Sequence, residues 1–205
     1  MIDGEPIKWL GGEFYFDFQT RESRLEPMEQ HLSHLAGKEN LKILEIGSCE
    51  GQSTLWFIKK LLTGSNSNIT CIDAHGEQGW YNEANNDIKI NTDKTTYEVF
   101  KSNILDKYSE KVIYHREKSN KVLPDLEKRY FDLIYVDGDH SFSGCYEDGE
   151  LSIPLLKNGG IIMFDDYWEN DKCPVYSAVQ KLRENGFIIR ENKIHNKAVL
   201  ILKMQ

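Results

Sequence analysis

Apolar runs alternate with segments of helical spacing from residue 41 to near the end of the chain. A run of mostly apolar residues bounded by polar ones predicts a buried strand, whereas apolar residues at every third or fourth position predict a helix. Strands that are apolar on both faces and separated by helices predict a parallel sheet covered on both sides, which is the α/β class. The predicted strands are 41–47, 68–74, 111–116, 131–137 and 159–165.

The connecting segments predict helices or helical turns. The last of them stops before Gly186, a suitable C-terminal cap. Two strand-like runs follow, 187–192 and 197–203, and the short connection between them predicts an antiparallel hairpin rather than a crossover. The predicted helical segments are 53–62, 95–104, 120–128, 145–156 and 174–185.

The chain reads as one domain of 205 residues, because it contains no repeat and no linker rich in Pro, Gly and Ser. Residues 1–40 precede the first strand and hold an aromatic patch and a predicted helix over 25–35. We interpret them as a cap over the sheet edge or the site. Residues 41–205 form the predicted Rossmann-like core.

Composition and charge argue against several classes of function. A net charge of −8 argues against general nucleic-acid binding. No apolar run approaches the roughly 20 residues of a membrane helix, and the N-terminus lacks the features of a secretion signal. The four cysteines form no CxxC pair, which predicts free thiols and a cytoplasmic location. His31 and His34 form an HxxH without a third ligand nearby, so a solvated helix face is the preferred interpretation.

The loop after the first predicted strand, LEIGSCEGQST, has a GxxxG spacing at Gly47 and Gly51. In an open α/β sheet, ligands bind beyond the carboxyl ends of the strands. A helix start there suits a ligand carboxylate, the buried Glu45 needs a partner such as a ligand ammonium, and Asp73 after the second strand suits ribose hydroxyls. Together these features describe S-adenosylmethionine. Individually, the glycines could form only a tight turn, and Asp73 could be a turn cap.

Acidic residues also end the fourth and fifth predicted strands. Asp137 and Asp165 are 28 residues apart, the length of one crossover, so their side chains can reach one point if the strands are neighbours. With Asp166, three carboxylates would repel one another unless a divalent cation such as Mg²⁺ offsets their charge. His140 is suited to accept a proton near neutral pH. The alternatives are a helix cap for the acid pair and a loop histidine bonded to backbone for His140.

LEIGSCEGQST resembles the first motif of class I S-adenosylmethionine-dependent methyltransferases. The resemblance covers about residues 40–203 and implies a seven-stranded sheet of order 3-2-1-4-5-7-6 whose last strand is antiparallel. It implies that Asp73 contacts the ribose, with His75 near the same sugar. EKSNKVLPDL is similar to the adenine loop of catechol and caffeoyl-CoA O-methyltransferases, which implies Ser119 and Asn120 near the base; a helix N-cap is the alternative for Ser119. Around the methionine part the resemblance implies Glu45, Gly47, Ser48, Gly51 and Ser53.

VDGDH and FDD resemble the metal-dependent small-molecule O-methyltransferases of methyltransferase family 24, including those that act on macrolide sugars. The resemblance implies Mg²⁺ or another divalent cation on Asp137, Asp165 and Asp166, and places Asp139 beside the cofactor. His140 stands where the catechol-type enzymes have a lysine base, as in the sugar-modifying relatives.

The expected function is therefore Mg²⁺-assisted O-methylation of a small hydroxylated molecule such as a sugar or phenol. Aromatic residues in 75–87 and 167–174 could wall the acceptor pocket or simply pack loops onto the domain. Alternatives are a metal-independent methyltransferase, an NAD-type nucleotide-sugar oxidoreductase and a non-catalytic cofactor-binding module. No membrane partner is expected, and a homodimer is one option for the assembly.

Overall fold

The structure, a computed structural model, describes Phe14, residues 28–29, 31–75 and 95–185, and the backbone of 189–194 and 197–202. Most of the predicted N-terminal cap, most of the loop 75–87, and Gly186 lie outside the described residues.

The described residues contain seven strands; helical segments separate the first six, as the apolar pattern predicts for the first five, and the last two form a hairpin. The strands are β1 (Lys42–Ile46), β2 (Asn68–Ile72), β3 (Val112–His115), β4 (Phe131–Val136), β5 (Leu156–Phe164), β6 (Ile189–Ile194) and β7 (Lys197–Leu202). The helices are α1 (Gln52–Lys60), α2 (Thr96–Phe100), α3 (Asp106–Tyr108), α4 (Ser119–Val122), α5 (Phe142–Ser152) and α6 (Pro174–Glu184).

Local chemistry sets the helix ends. The side chain of Thr95 accepts the Glu98 N–H, and Glu98 in turn accepts the Thr95 N–H at 2.7 Å, which is a capping box before α2. A π-helical turn, Lys101–Leu105, separates α2 from α3. Ser141 caps α5 through a 3.1 Å bond from the Gly144 N–H, so α5 begins three residues earlier than its apolar pattern indicates. Pro174 occupies the first turn of α6, where its missing N–H costs nothing.

The strands form one sheet of order β3-β2-β1-β4-β5-β7-β6. β1 to β5 pair in parallel, which confirms the Rossmann-like α/β class. β7 pairs antiparallel with both β5 and β6. β4 and β5 are neighbours, so the acidic residues that follow them leave the sheet side by side.

Side chains alternate between the two faces of the sheet. Among the described residues they pack into two hydrophobic cores, one on each face. One core joins α1 to strand residues such as Ile43, Leu133 and Met163, and it also includes Phe14 and Met28 from the N-terminal segment. The second joins α5 and α6 to residues such as Leu44, Ile134 and Phe164. Ser119, at the start of α4, lies on the second side, because Val122 and Leu123 belong to that core.

All four cysteines are free thiols, as predicted. Among the described residues, no helix combines the length and the apolar character that a membrane crossing demands.

We expect Leu182→Ala to destabilise the protein by about 3 kcal/mol, because Leu182 is fully buried between α5 and α6. A Cβ on Gly149 would lie 2.4 Å from Leu182 Cδ1, so the two helices already meet closely and a cavity could not collapse freely. Urea unfolding followed by tryptophan fluorescence measures the loss. The neighbouring exposed substitution Lys181→Ala is the control, with an expected change within about 0.5 kcal/mol. Equal effects of the two substitutions would contradict this packing.

Candidate active site

The loop after β1 makes close backbone contact with the loop after β4. Gly47 and Gly51 have φ of 85° and 87°, and Cys49 between them has φ of 45°. A Cβ on Gly47 would lie 2.1 Å from the carbonyl oxygen of Asp137, so only glycine allows this approach. The two predicted site loops are therefore in direct contact at the carboxyl edge of the sheet.

Glu45, at the end of β1, is fully buried and is surrounded by hydroxyl donors. Its carboxylate accepts bonds from Ser48 Oγ at 3.0 Å, from Ser53 Oγ at 2.5 Å and from the Thr54 hydroxyl. Burial raises the pKa of Glu45, and these hydrogen bonds oppose the rise. The partner that a buried carboxylate requires is thus supplied by the start of α1, so burial alone gives no reason to invoke a ligand ammonium.

Asp73, directly after β2, ties the first two loops together. Its Oδ2 accepts the Cys49 N–H at 2.8 Å, and its Oδ1 accepts the His75 N–H at 2.8 Å. Each carboxylate oxygen can accept more than one hydrogen bond, so the predicted contact to ribose hydroxyls is compatible with both backbone bonds.

His75 is buried, with 5% of its surface exposed, and it has partners on both ring nitrogens. Nε2 donates to the Cys49 carbonyl at 2.6 Å, and in that tautomer the Tyr114 hydroxyl donates to Nδ1 at 2.5 Å. Its ring centroid lies 5.2 Å from that of Phe100 and 5.7 Å from that of Tyr97. These contacts tie His75 to the loop after β1, and its position near the sugar, which the resemblance implies, stays a prediction.

His140 lies between two carboxylates that follow different strands. Its Nε2 is 3.1 Å from Asp137 Oδ1, and its Nδ1 is 3.4 Å from Asp166 Oδ2. Burial lowers the pKa of His140, but the hydrogen bond with Asp137 and the charges of Asp137, Asp166 and Asp165 outweigh it, so the pKa is raised. The structure thus brings the predicted proton acceptor and two of the predicted metal ligands together.

Asp165, the third predicted metal ligand, accepts hydrogen bonds from two nearby groups. The Tyr135 hydroxyl donates to Asp165 Oδ2 at 2.5 Å, and the Asp166 N–H donates to Oδ1 at 2.8 Å. Burial raises the pKa of Tyr135 well above its usual value, with Asp137 and Asp165 adding to the effect, so the phenol stays a donor. Tyr135 was not singled out from the sequence, where it reads only as part of an apolar strand.

The donor chemistry of this cluster fits a hard divalent cation, but the described side chains are not arranged around one. Three carboxylates supply the oxygen ligands that Mg²⁺ prefers. Within residues 31–75 and 95–185 and the few other described positions, no three His, Cys, Asp or Glu side chains form a metal-binding group. His140 contacts two of the carboxylates, and the Tyr135 hydroxyl donates to the third.

The remaining predicted cofactor residues lie at the starts of α4 and α5. Asp139 accepts the Ser141 N–H at 2.8 Å. A Cβ on Gly144 would lie 2.4 Å from Asp139 Cγ, so this side chain packs on the first turn of α5. The Asn120 amide donates to Glu147 at 3.4 Å, an exposed and weak bond.

Asp148 is a buried carboxylate that sequence reasoning missed, because it lies in mid-helix without a motif. It is 3% exposed. A Cβ on Gly138 would lie 3.0 Å from Asp148 Oδ2, so the carboxylate packs directly beneath the loop after β4. Burial raises the pKa of Asp148 to about 6, the nearby Ser119 side chain opposes the rise, and Glu147 and Asp139 add to it.

A cleft of about 330 Å³ opens next to His140 and Asp166. Trp168, half exposed, forms part of its wall. The remaining lining residues are Asn170, Lys172, Cys173, Pro174 and Val175.

Comparison with known proteins relates this arrangement to one family. A family model described as a methyltransferase domain matches residues 44–167, which include the ends of β1, β2, β4 and β5. An uncharacterized protein of Acanthamoeba polyphaga mimivirus is 26% identical over 156 residues. The match covers 75% of this chain and 64% of the relative, so the chain spans less than two thirds of that relative's length.

Solved structures share the fold. An O-methyltransferase from Bacillus cereus in complex with S-adenosylhomocysteine (SAH) is 14% identical, with a TM-score of 0.62 over 90% of this chain and 83% of that one. MycE, a methyltransferase of the mycinamycin biosynthetic pathway in complex with Mg and SAH, is 16% identical, with a TM-score of 0.62 over 91% of this chain and 51% of that one. At these identities the likeness establishes a common fold.

We expect Asp148→Asn to stabilise the protein at neutral pH. A folded pKa of about 6 against an ordinary 3.8 means that the stability contribution of Asp148 is full below about pH 4 and is lost as the pH rises to about 6. The loss corresponds to about 3 kcal/mol at pH 7. Urea unfolding from pH 4 to 8 should therefore show the variant gaining on the wild type as the pH rises. Glu150→Gln, an exposed change on the same helix, should track the wild type. A constant difference across this range would contradict the raised pKa.

Proposed function

Because this chain belongs to the methyltransferase domain family, as the match over residues 44–167 shows, we propose that it transfers the methyl group of S-adenosylmethionine to a hydroxyl oxygen of a small molecule. The main support for this proposal is the contact between the loop after β1 and the loop after β4. Gly47 touches the Asp137 carbonyl, which brings the expected cofactor loop against the cluster of Asp137, His140 and Asp166. A donor and a proton acceptor at adjoining strand ends are what such a transfer requires.

The cofactor is expected along the ends of β1 to β3. Asp73 would accept hydrogen bonds from the ribose while it keeps its bonds to the Cys49 and His75 N–H groups. The Ser48 and Ser53 hydroxyls donate to Glu45. Glu45 would therefore shape the loop around the methionine part rather than pair with its ammonium. SAH in the Bacillus cereus and MycE structures supports this choice of cofactor.

His140 is the proposed proton acceptor. The acceptor hydroxyl would lose its proton to the imidazole as its oxygen forms the new bond to the methyl carbon. The carbon–sulfur bond breaks, and its electron pair stays on sulfur. Asp137 and Asp166 would stabilise the imidazolium that results, because they lie 3.1 and 3.4 Å from its two nitrogens. The cleft beside Trp168 would hold the acceptor, and a sugar or phenol ring could stack on the indole.

Divalent-cation assistance is a further part of the proposal. Asp137, Asp165 and Asp166 would hold the ion, and the Mg in the MycE structure supports this role. A bound cation lowers the pKa of a hydroxyl and offsets the charge of neighbouring carboxylates. The ion would require His140 and Tyr135 to yield the carboxylates that they now contact.

Metal-independent transfer is the second candidate, and a specific observation favours it. His140 already contacts Asp137 at 3.1 Å and Asp166 at 3.4 Å, so both carboxylates have a partner without an ion. In that mechanism, the histidine and its two carboxylates would be sufficient to remove the proton.

We expect SAH to bind in calorimetry and NAD not to bind. Asp73→Ala should weaken SAH binding about 10- to 100-fold, because it removes a charged hydrogen-bond acceptor for the ribose and the anchor of two backbone N–H groups. Asp106→Asn, an exposed acid paired with Lys101, is the matched control and should bind as the wild type does. Binding of NAD in place of SAH would refute the proposed function.

We expect a chelator to lower the rate of SAH formation at least 100-fold in a panel of hydroxylated acceptors, and Mg²⁺ to restore it. Asp137→Asn should weaken Mg²⁺ binding measured by calorimetry, whereas Asp106→Asn should not. His140→Ala should lower turnover about 10²- to 10⁴-fold and leave SAH affinity near normal. An enzyme that is indifferent to the chelator but inactivated by His140→Ala would select the metal-independent candidate.

A further inference from the structure

His75 is a buried histidine that has no part in the proposed methyl transfer. It is 5% exposed, and its ring centroid lies 5.2 Å from that of Phe100 and 5.7 Å from that of Tyr97. An apolar side chain would pack among these rings without the cost of burying two polar ring nitrogens. An imidazole at this position therefore calls for a use that depends on its nitrogens.

All four polar groups of His75 have partners. Its N–H donates to Asp73 Oδ1 at 2.8 Å, and its carbonyl accepts a hydrogen bond from Arg116 Nη2 at 3.2 Å. The ring nitrogens lie 2.6 Å from the Cys49 carbonyl oxygen and 2.5 Å from the Tyr114 hydroxyl. A carbonyl oxygen only accepts hydrogen bonds, so the nitrogen that faces Cys49, Nε2, carries a proton and donates.

Cys49, which accepts this bond, is held at both of its backbone polar groups. The Cys49 N–H donates to Asp73 Oδ2 at 2.8 Å, and the Cys49 carbonyl accepts from His75. The His75 N–H in turn joins His75 to Asp73, so the hydrogen bonds among these three residues form a closed cycle. We call this cycle the Cys49 clamp.

The Cys49 clamp holds the backbone in a conformation that is unfavourable for this residue type. The φ of Cys49, 45°, lies in the left-handed region, which residues other than glycine rarely adopt. Cys49 stands between Gly47 and Gly51, in the loop that is expected to bind the cofactor. Such a conformation persists only where the surrounding structure enforces it, so without the clamp the loop would relax toward a different shape.

We propose that His75 is a positioning residue, which acts through the Cys49 carbonyl to hold the loop after β1 in the shape that binds S-adenosylmethionine. When a ligand binds only one conformation of a loop, its apparent affinity falls in proportion to the fraction of molecules that have left that conformation. This inference rests on the proposed binding of S-adenosylmethionine and adds a residue that prepares the loop for it.

The test is a double-mutant cycle of His75→Phe and Cys49→Gly, measured by calorimetry of the full chain with SAH. Phenylalanine keeps a ring beside Phe100 but has no nitrogen to donate, so His75→Phe should weaken SAH binding at least about 10-fold. In the Cys49→Gly background the left-handed conformation needs no support, and His75→Phe should cost at most about threefold. Loss of packing, or of a direct contact between His75 and the cofactor, would cost the same in both backgrounds, and that result would overturn the inference.

Tyr114→Phe gives a second test with a milder change, because it removes one hydroxyl from a half-buried ring. Without that donor the ring proton of His75 can move to Nδ1, and Nε2 then no longer donates to Cys49. SAH binding should weaken at least about threefold, and this loss should disappear in the Cys49→Gly background. An equal loss in both backgrounds would contradict the clamp.

His34→Phe, the same substitution at an exposed histidine, is the matched control and should bind SAH as the wild type does. If SAH binds the wild type and both ring variants equally well, the inference is wrong and the proposed function stands. If the wild type does not bind SAH, the proposed function fails, and the inference fails with it.

Discussion

Negative charge concentrated at one edge of the sheet is the constraint on which the site depends. Glu45, Asp73, Asp137 and Asp165 each stand at or directly after the end of a parallel strand, and these strands are neighbours. Carboxylates brought together in this way repel one another and lose solvation, so the fold must supply donors. The donors are mostly hydroxyls, backbone N–H groups and one imidazole.

The acids at this edge accept hydrogen bonds from different kinds of donor. This difference separates the structural acids from those that are available for chemistry. Glu45 is fully buried and accepts hydrogen bonds from hydroxyls at the start of α1. It therefore stabilises the loop between β1 and α1. Asp73 uses backbone N–H groups, which hold it in place while its oxygens retain acceptor capacity. Asp137 and Asp166 are partly exposed and share His140, whose proton can leave. The proposed proton transfer is therefore best assigned to Asp137, Asp166 and His140, because the imidazole proton exchanges most readily among these donors.

The elements and their acidic ends could be predicted from sequence because both depend on local patterns. Apolar runs define the strands, and the residue after each run lies at the carboxyl edge by topology alone. The partners could not be predicted. That Ser53 and Thr54 reach Glu45 depends on how α1 docks, and that His75 turns inward depends on its packing against Phe100 and Tyr114. Asp148 carries no sequence signal, since an acid in mid-helix normally faces water.

An anionic edge has a direct consequence for the two forms of the cofactor. S-adenosylmethionine carries a sulfonium that SAH lacks, so negative charge nearby stabilises the methyl donor relative to the product. The proton removed from the acceptor moves to the same region, and an imidazolium at His140 would replace the positive charge that leaves with the methyl group. The edge would therefore keep nearly the same net charge before and after transfer. In the proposed reaction, the acids would therefore match a cation that moves from sulfur to nitrogen.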